Sequence, residues 1–460
     1  DHPDDLDAKA FLALELWKRR SDGIKIYSYL AIDALLNEVH AANPLHPCHH
    51  YRIHLWDSQR PAKALVSAAT CGQTSPGIAH MWHMPGHIFS KLKRYEDAVW
   101  QQEASARVDH AHMMRDRVLP DQIHNYAHNN EWLIRNLIYV GRASDALDLA
   151  KNMIELPRHP KYNHLGRGGC SSSYGRSRLF QVLEAFEQWE LTIQLCNTPY
   201  LEPTDIPREQ TKRLRALGRA HLKLANKEAG LEVIAELDVL FNEQTAKRDA
   251  EIAKANEELK EEDEAKRKTA VAKIKEDKTR QYASAITGFE RARDELNGWL
   301  ALLDGDAKAA IEKLKKGQVS GPAIAHVYQA AGEPDKATAE INKYMPRHSK
   351  EVLPLVHSIR LLAAQGKAEE ARKKFDELRV LSAPIDLAAP VFHPLVAMAK
   401  EWGLEADWRV EPTLADDIGE RPELDNLGPF RWQPTPAADW ALEGADGKKV
   451  CRKDYEGKPV

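Results

Sequence analysis

The 460-residue chain lacks several things that would have fixed its class. No apolar run approaches the roughly 18 residues of a membrane-spanning helix, so no membrane span is expected. Five cysteines with no CxxC pair exclude a disulfide-built scaffold, and the odd count leaves the redox compartment open. Charge of one sign is also missing: 65 Lys and Arg against 69 Asp and Glu give a net charge of −4. That balance supplies no global pull toward nucleic acid or anionic lipid. GxSxG, HExxH, phosphate-loop and dinucleotide glycine patterns are absent, which argues against serine hydrolase, zincin and nucleotide-enzyme readings. Strand signals are nearly absent before residue 430.

What remains is helical periodicity, so the chain is expected to be all-α. Three segments share one pattern: LALLDGDAKAAIEKL at Gly305, VYQAAGEPDKATAEINKY at Gly332 and LLAAQGKAEEARKKFDEL at Gly366. Each ends an apolar helix at a Gly turn and starts a second helix carrying Ala. Gly332 and Gly366 are 34 residues apart, the tetratricopeptide (TPR) period, while Gly305 and Gly332 are 27 apart. SKLKRYEDAVWQQEA, with Lys93 at the Gly position, and IYVGRASDALDLAKNMIELP, with Gly141, fit the same turn. Residues 1–405 thus resemble a TPR-like, right-handed helical-repeat solenoid, in which helix pairs bury their apolar faces by stacking. The expected organisation is His-rich repeats over 1–227, a long charged antiparallel helical hairpin over 228–299, and further repeats over 300–405. An irregular tail follows over 406–460. The hairpin, turning near Glu261–Ala265, reads as a solvated coiled-coil spacer or a docking arm for a partner. GRGGCSSSYG at 166–175 reads as a flexible loop. An alternative is an anion nest near Arg167, Arg176 and Arg178.

Histidine is the outlying residue. Twelve of the 20 lie between His40 and His128. Nine of them fall in NPLHPCHHYRIHLWD, SPGIAHMWHMPGHIFSKL and RVLPDQIHNYAHNNEWL, and each stretch carries a proline: Pro47, Pro85 and Pro120. The prolines are 38 and 35 residues apart, which suggests that each opens the first helix of a repeat. His50/His54 and His124/His128 are i, i+4 pairs, and such pairs share a helix face. First helices line the concave surface of a TPR array, as that resemblance implies, so the clusters would converge in one groove. Imidazoles at that density suit copper, iron or zinc. The candidate ligands are His50, His54, His83, His87, His124 and His128. His49, His80, Glu131, Asp57 and Asp109 are possible further ligands or supporting partners. Any one histidine can instead cap a helix or sit half-buried, and the five beyond residue 220 show no comparable pattern. Tyr51, Trp56, Trp82, Trp100, Tyr126 and Trp132 read mainly as core. Met81, Met84, Met113 and Met114 read as packing unless they face the site, and Cys48 as a bystander or a soft ligand.

IHLWD, AHMWHMPGHIFSKLKRYEDAVWQQEASARVDHAHM, HNYAHNNEW and the closing GKPV together resemble large bacterial TPR proteins of the redoxin-fused type. That resemblance implies an exported protein of the cell envelope or periplasm, with a C-terminal thioredoxin-like domain as partner. The tail from Trp432, with its DG turn between two strand-like runs, would be the start of that domain. Both ends of the chain read as cut, and no signal peptide is visible. Three functions remain open. One is a metal-binding TPR protein serving redox chemistry, a metal-dependent oxidoreductase. The second is a scaffold binding a protein or peptide in its groove or at the hairpin, with no metal. The third is a metal-dependent hydrolase with Glu131 or Asp57 as general base.

Overall fold

The computed structural model describes residues 2, 4–260, 263–434, 439–444 and 446–455. The described residues form nineteen α-helices: α1 (Leu6–Lys18), α2 (Tyr29–Ala42), α3 (His49–Trp56), α4 (Leu65–Thr74), α5 (Ala79–Lys91), α6 (Tyr95–Asp116), α7 (Tyr126–Val140), α8 (Ala143–Glu155), α9 (Ser171–Ala185), α10 (Trp189–Leu195), α11 (Pro207–Lys223), α12 (Lys227–Glu257), α13 (Glu264–Leu303), α14 (Ala307–Lys316), α15 (Pro322–Ala330), α16 (Pro334–Tyr344), α17 (Val352–Ala364), α18 (Ala368–Arg379) and α19 (His393–Glu401). Their only sheet is a short antiparallel hairpin, β1 (Ala441–Glu443) with β2 (Lys449–Cys451). The two strand-like runs of the tail therefore pair, while GKPV lies outside the described residues.

Consecutive helices pack in pairs, and the first helices also touch each other: α3 meets α5, α5 meets α7, and α7 meets α9. This is the helical-repeat array that the Gly-turn pattern predicts. One local rule builds it. Seven pairs turn through a left-handed residue: Lys93, Gly141, Glu187, Ala225, Gly305, Gly332 and Gly366, with φ between 55° and 84°. Five residues later stands a small side chain: Ala98, Ala146, Thr192, Gly230, Ala310, Ala337 or Ala371. All but Gly230 are 0–2% exposed, and a Cβ on Gly230 would sit 2.6 Å from Leu222. The small residue lets the second helix approach the first. Lys93 accepts the left-handed cost that Gly141 avoids.

α12 and α13 run side by side, tied by Lys278–Glu251 (2.8 Å), Tyr282–Glu251 (2.6 Å) and Arg293–Asp238 (3.0 Å). At its base the hairpin joins the core through Val233, Leu237, Phe289 and Leu296. Residues 261 and 262 of the expected turn lie outside the described residues; α13 is capped by the Asp263 carboxylate, which accepts from Lys266 N–H.

The array bends back on itself. One core joins residues 95–201 to residues 352–408, and Asp386 N–H donates to Gly141 C=O (3.0 Å). From Trp408, which is buried, the chain then crosses the outer helices. Arg421 pairs with Asp97, Asp417 with Arg94 and Asp425 with Arg107, while Asn152 donates to Trp432 C=O (2.9 Å).

Candidate metal centre

The first helices α3, α5 and α7 carry the histidines into the groove, and the structure sorts them into two triads. His50, His54 and His80 form one; His83, His87 and His128 form the other. Within each triad the nitrogens lie within 4.8 Å of one another. His54 Nε2 is 3.0 Å from His50 Nε2, and His87 Nε2 is 2.8 Å from His83 Nε2. Metal–nitrogen bonds of about 2.0–2.1 Å separate neighbouring ligand nitrogens by about 3.0–3.4 Å, so the His50–His54 contact reaches that span and the His83–His87 contact is slightly shorter, a hydrogen-bonding distance. His80, read as a supporting residue, takes a full place, because one helical turn from His83 it faces α3 while His83 and His87 face α7. The two triads adjoin: the His80 and His83 rings are 5.8 Å apart.

The environment keeps the rings neutral. Burial holds His50 and His87 down to about 3, reinforced by neighbouring imidazoles, and His80 to about 4. Burial also lowers His54 and His128, and His83 falls well below the usual value. A neutral ring is the ligand form. The lone pair of His83 is aimed by its surroundings. The Gln102 side-chain N–H donates to His83 C=O (3.2 Å), which turns Gln102 Oε1 toward His83 Nδ1 (2.7 Å). His83 Nδ1 must then donate, and Nε2 presents its lone pair to the triad. His80 Nδ1 is buried with no hydrogen-bond partner. Trp17 stacks on His54 (5.0 Å) and Trp132 on His87 (4.0 Å), with Arg135 over the far face of Trp132 (3.6 Å).

Several expected positions are corrected. His124 does not share a helix with His128: Asn125 is left-handed (φ 63°) and α7 starts only at Tyr126. His124 sits in the preceding turn, its ring 6.2 Å from His80 and outside both triads. Pro120 opens a separate 3-10 turn, and Pro85 lies inside α5 rather than at its start. His49 turns away to Ser67 Oγ (2.9 Å) and Pro44 C=O (2.8 Å). The Cys48 thiol meets His40 (3.2 Å), and burial pushes it up to about 12. Asp57 pairs with Lys91 (2.7 Å), and Asp109 accepts from Asn129 (3.0 Å). Glu131 lies 3.6 Å from His128 Nδ1 but is also bound by Arg178 (3.0 Å). Met81, Met84 and Met113 are buried in hydrophobic clusters. Of the arginines near the Gly-rich loop, Arg176 and Arg178 are engaged elsewhere. Arg167 lines a cavity of about 210 Å³ that reaches His128.

A second histidine group escaped the sequence reading. His326 and His357 lie 5.8 Å apart, and burial first, then Arg360 and Lys223, holds both to about 3. Lys223 rests on Trp299 (3.8 Å), and Arg360 pairs with Glu187 (2.9 Å). His326 and His357 stand 31 residues apart on the successive first helices α15 and α17, a near-repeat spacing that was the available signal.

The protein is thus an all-α helical-repeat array with two imidazole triads in its groove. No protein-family model matches the chain, and no curated protein matches it. A solved structure described as Naa15/Naa10 bound to HypK-THB aligns over 87% of this chain and 67% of that chain. Its sequence identity is 15% and its TM-score 0.22, so the fold assignment stands on the helix pairing itself. No helix among the described residues is long and apolar enough to cross a membrane.

Proposed function

We propose that the chain is a metal-binding repeat protein whose groove histidines hold copper, iron or zinc. One observation carries this reading: Gln102 fixes the His83 tautomer so that its lone pair faces His87 and His128. Burial alone asks for a partner on His83 Nδ1; the network adds that Nε2 is left as an acceptor beside two further imidazoles. The triads supply three neutral nitrogens each, which leaves positions for water or substrate on a bound ion. Service to redox chemistry, a redoxin partner domain and an envelope location rest on the sequence resemblance. A hydrolase reading is disfavoured because Asp57 and Glu131, its candidate bases, are both engaged in ion pairs. In the second reading the chain is a scaffold for a protein or peptide, to which the paired His326 and His357 beside Arg360 would offer polar contacts.

Elemental analysis of protein purified without chelators or a His-tag tests the proposal. One or more equivalents of copper, iron or zinc are expected, lost in a His54→Ala/His87→Ala/His128→Ala variant. Absence of metal in the folded parent, with failed reconstitution, would leave the scaffold reading.

A further inference from the structure

Four features of the groove bear on how many ions it holds and of what charge. The first is separation. The nitrogens within 4.8 Å of one another fall into two sets of three, with no residue shared. His80 and His83 leave α5 toward different neighbours, so one ion cannot draw both sets together without moving α3 against α7. Second, neither set includes a carboxylate among the described residues. Iron sites of the facial-triad kind need one, and the hard divalent ions need oxygen ligands.

The third feature is the field around the site. The nearest carboxylates are already neutralised, Asp57 by Lys91 and Glu131 by Arg178. Arg135 is a further cation beside the second triad, lying over Trp132 (3.6 Å), which stacks on His87. Asp57 and Glu131 are each shared with a cation, so neither brings a full spare charge to an incoming ion. Coulomb repulsion between neighbouring ions scales with the product of their charges, so two divalent ions repel about fourfold more than two monovalent ions. The fourth is the aromatic cover. The Trp17 and Trp132 planes stack on the ring faces of His54 and His87, an apolar surround that favours an ion of low charge. Copper(I) is the monovalent ion that accepts three imidazoles without a charged ligand.

We propose that the two triads bind two copper(I) ions at once, one to His50, His54 and His80 and the other to His83, His87 and His128. This rests on the metal-binding reading above and adds stoichiometry, oxidation state and ligand set to it.

The test is anaerobic titration of the metal-free full chain with copper(I) in competition with bicinchoninate, alongside a zinc titration. Two equivalents of copper(I) are expected, and at most one of zinc. His54→Gln and His87→Gln should each retain one copper(I), with circular dichroism confirming the fold. X-ray absorption of the unmodified copper-loaded protein, which needs no variant, should give three nitrogen neighbours per copper. One copper(I) equivalent, two zinc equivalents, or sulfur or extra oxygen neighbours would overturn the two-copper inference while the metal reading survives. No binding of copper(I), zinc or iron(II) would overturn both.

Discussion

Acidification of the metal-free protein should destabilise it, and the size follows from the buried imidazoles. His50, His87, His326 and His357 are each held to about 3. An unfolded histidine takes up its proton near pH 6.5. Between those values the unfolded chain binds more protons than the folded one, so stability falls as pH falls from about 6.5. From pH 7.0 to 5.5 each such histidine costs about 1.2 kcal/mol, and four cost roughly 5 kcal/mol. Asp109 works in the opposite direction. Burial raises its carboxyl to about 7, so the folded state takes up a proton there and returns about 1.6 kcal/mol over the same interval. These four set against Asp109 leave a loss of roughly 3 kcal/mol, and His40, held to about 3, and His80 and His110, held to about 4, add to it, so the urea midpoint should fall by at least about 1–2 M. Urea unfolding at the two pH values reads this directly, and Asp109→Asn should deepen the loss by removing the offset. A midpoint that stays fixed or rises at pH 5.5 in both proteins would refute the reasoning.

Gly86→Ala should distort the second triad, because its Cβ would stand 2.3 Å from Gln102 Nε2. Overpacking there costs about 1–3 kcal/mol, read by thermal melting, with weaker metal binding at that triad. Gln102→Leu removes the acceptor for His83 Nδ1 and should weaken metal binding about 10–100-fold at that triad while sparing the other, read by competitive titration. Glu295 is buried between Arg215 and Arg219. Glu295→Gln leaves Arg219 with Glu184 alone and Arg215 without its carboxylate, and should lower stability by about 1.5–3 kcal/mol in urea unfolding.

Much of the fold was legible because its rule is local. A left-handed turn residue and a small residue five positions later recur along the chain. Lys93 betrayed itself by lying between two amphipathic runs. Glu187 and Ala225 did not, because neither residue type announces a left-handed turn. The density of histidines marked the groove, but their grouping depends on helix direction. Asn125 moved His124 off α7, and only the packing of α3 against α5 shows that His80 belongs with His50 and His54. Trp17, stacked on His54, comes from α1 and has no motif connection to the cluster. Lys223 and His357 meet because the array curves, which no window of sequence reveals.

The chain after Trp408 also bears on the groove although it lies on the far side of the helices. Pro429 C=O accepts from His110 Nδ1 (3.2 Å), which fixes that proton on Nδ1. His110 Nε2 must then accept, and the Tyr126 O–H donates to it (3.0 Å). Tyr126 is the first residue of α7 and is fully enclosed. His128 stands two residues further on, at the open end of the second triad. The helix is thus pinned at its start by a buried chain of donors and acceptors running from the tail through α6. Position of a ligand to within about 0.5 Å needs such support behind it. The tail therefore helps set where α7 begins, and with it where His128 points.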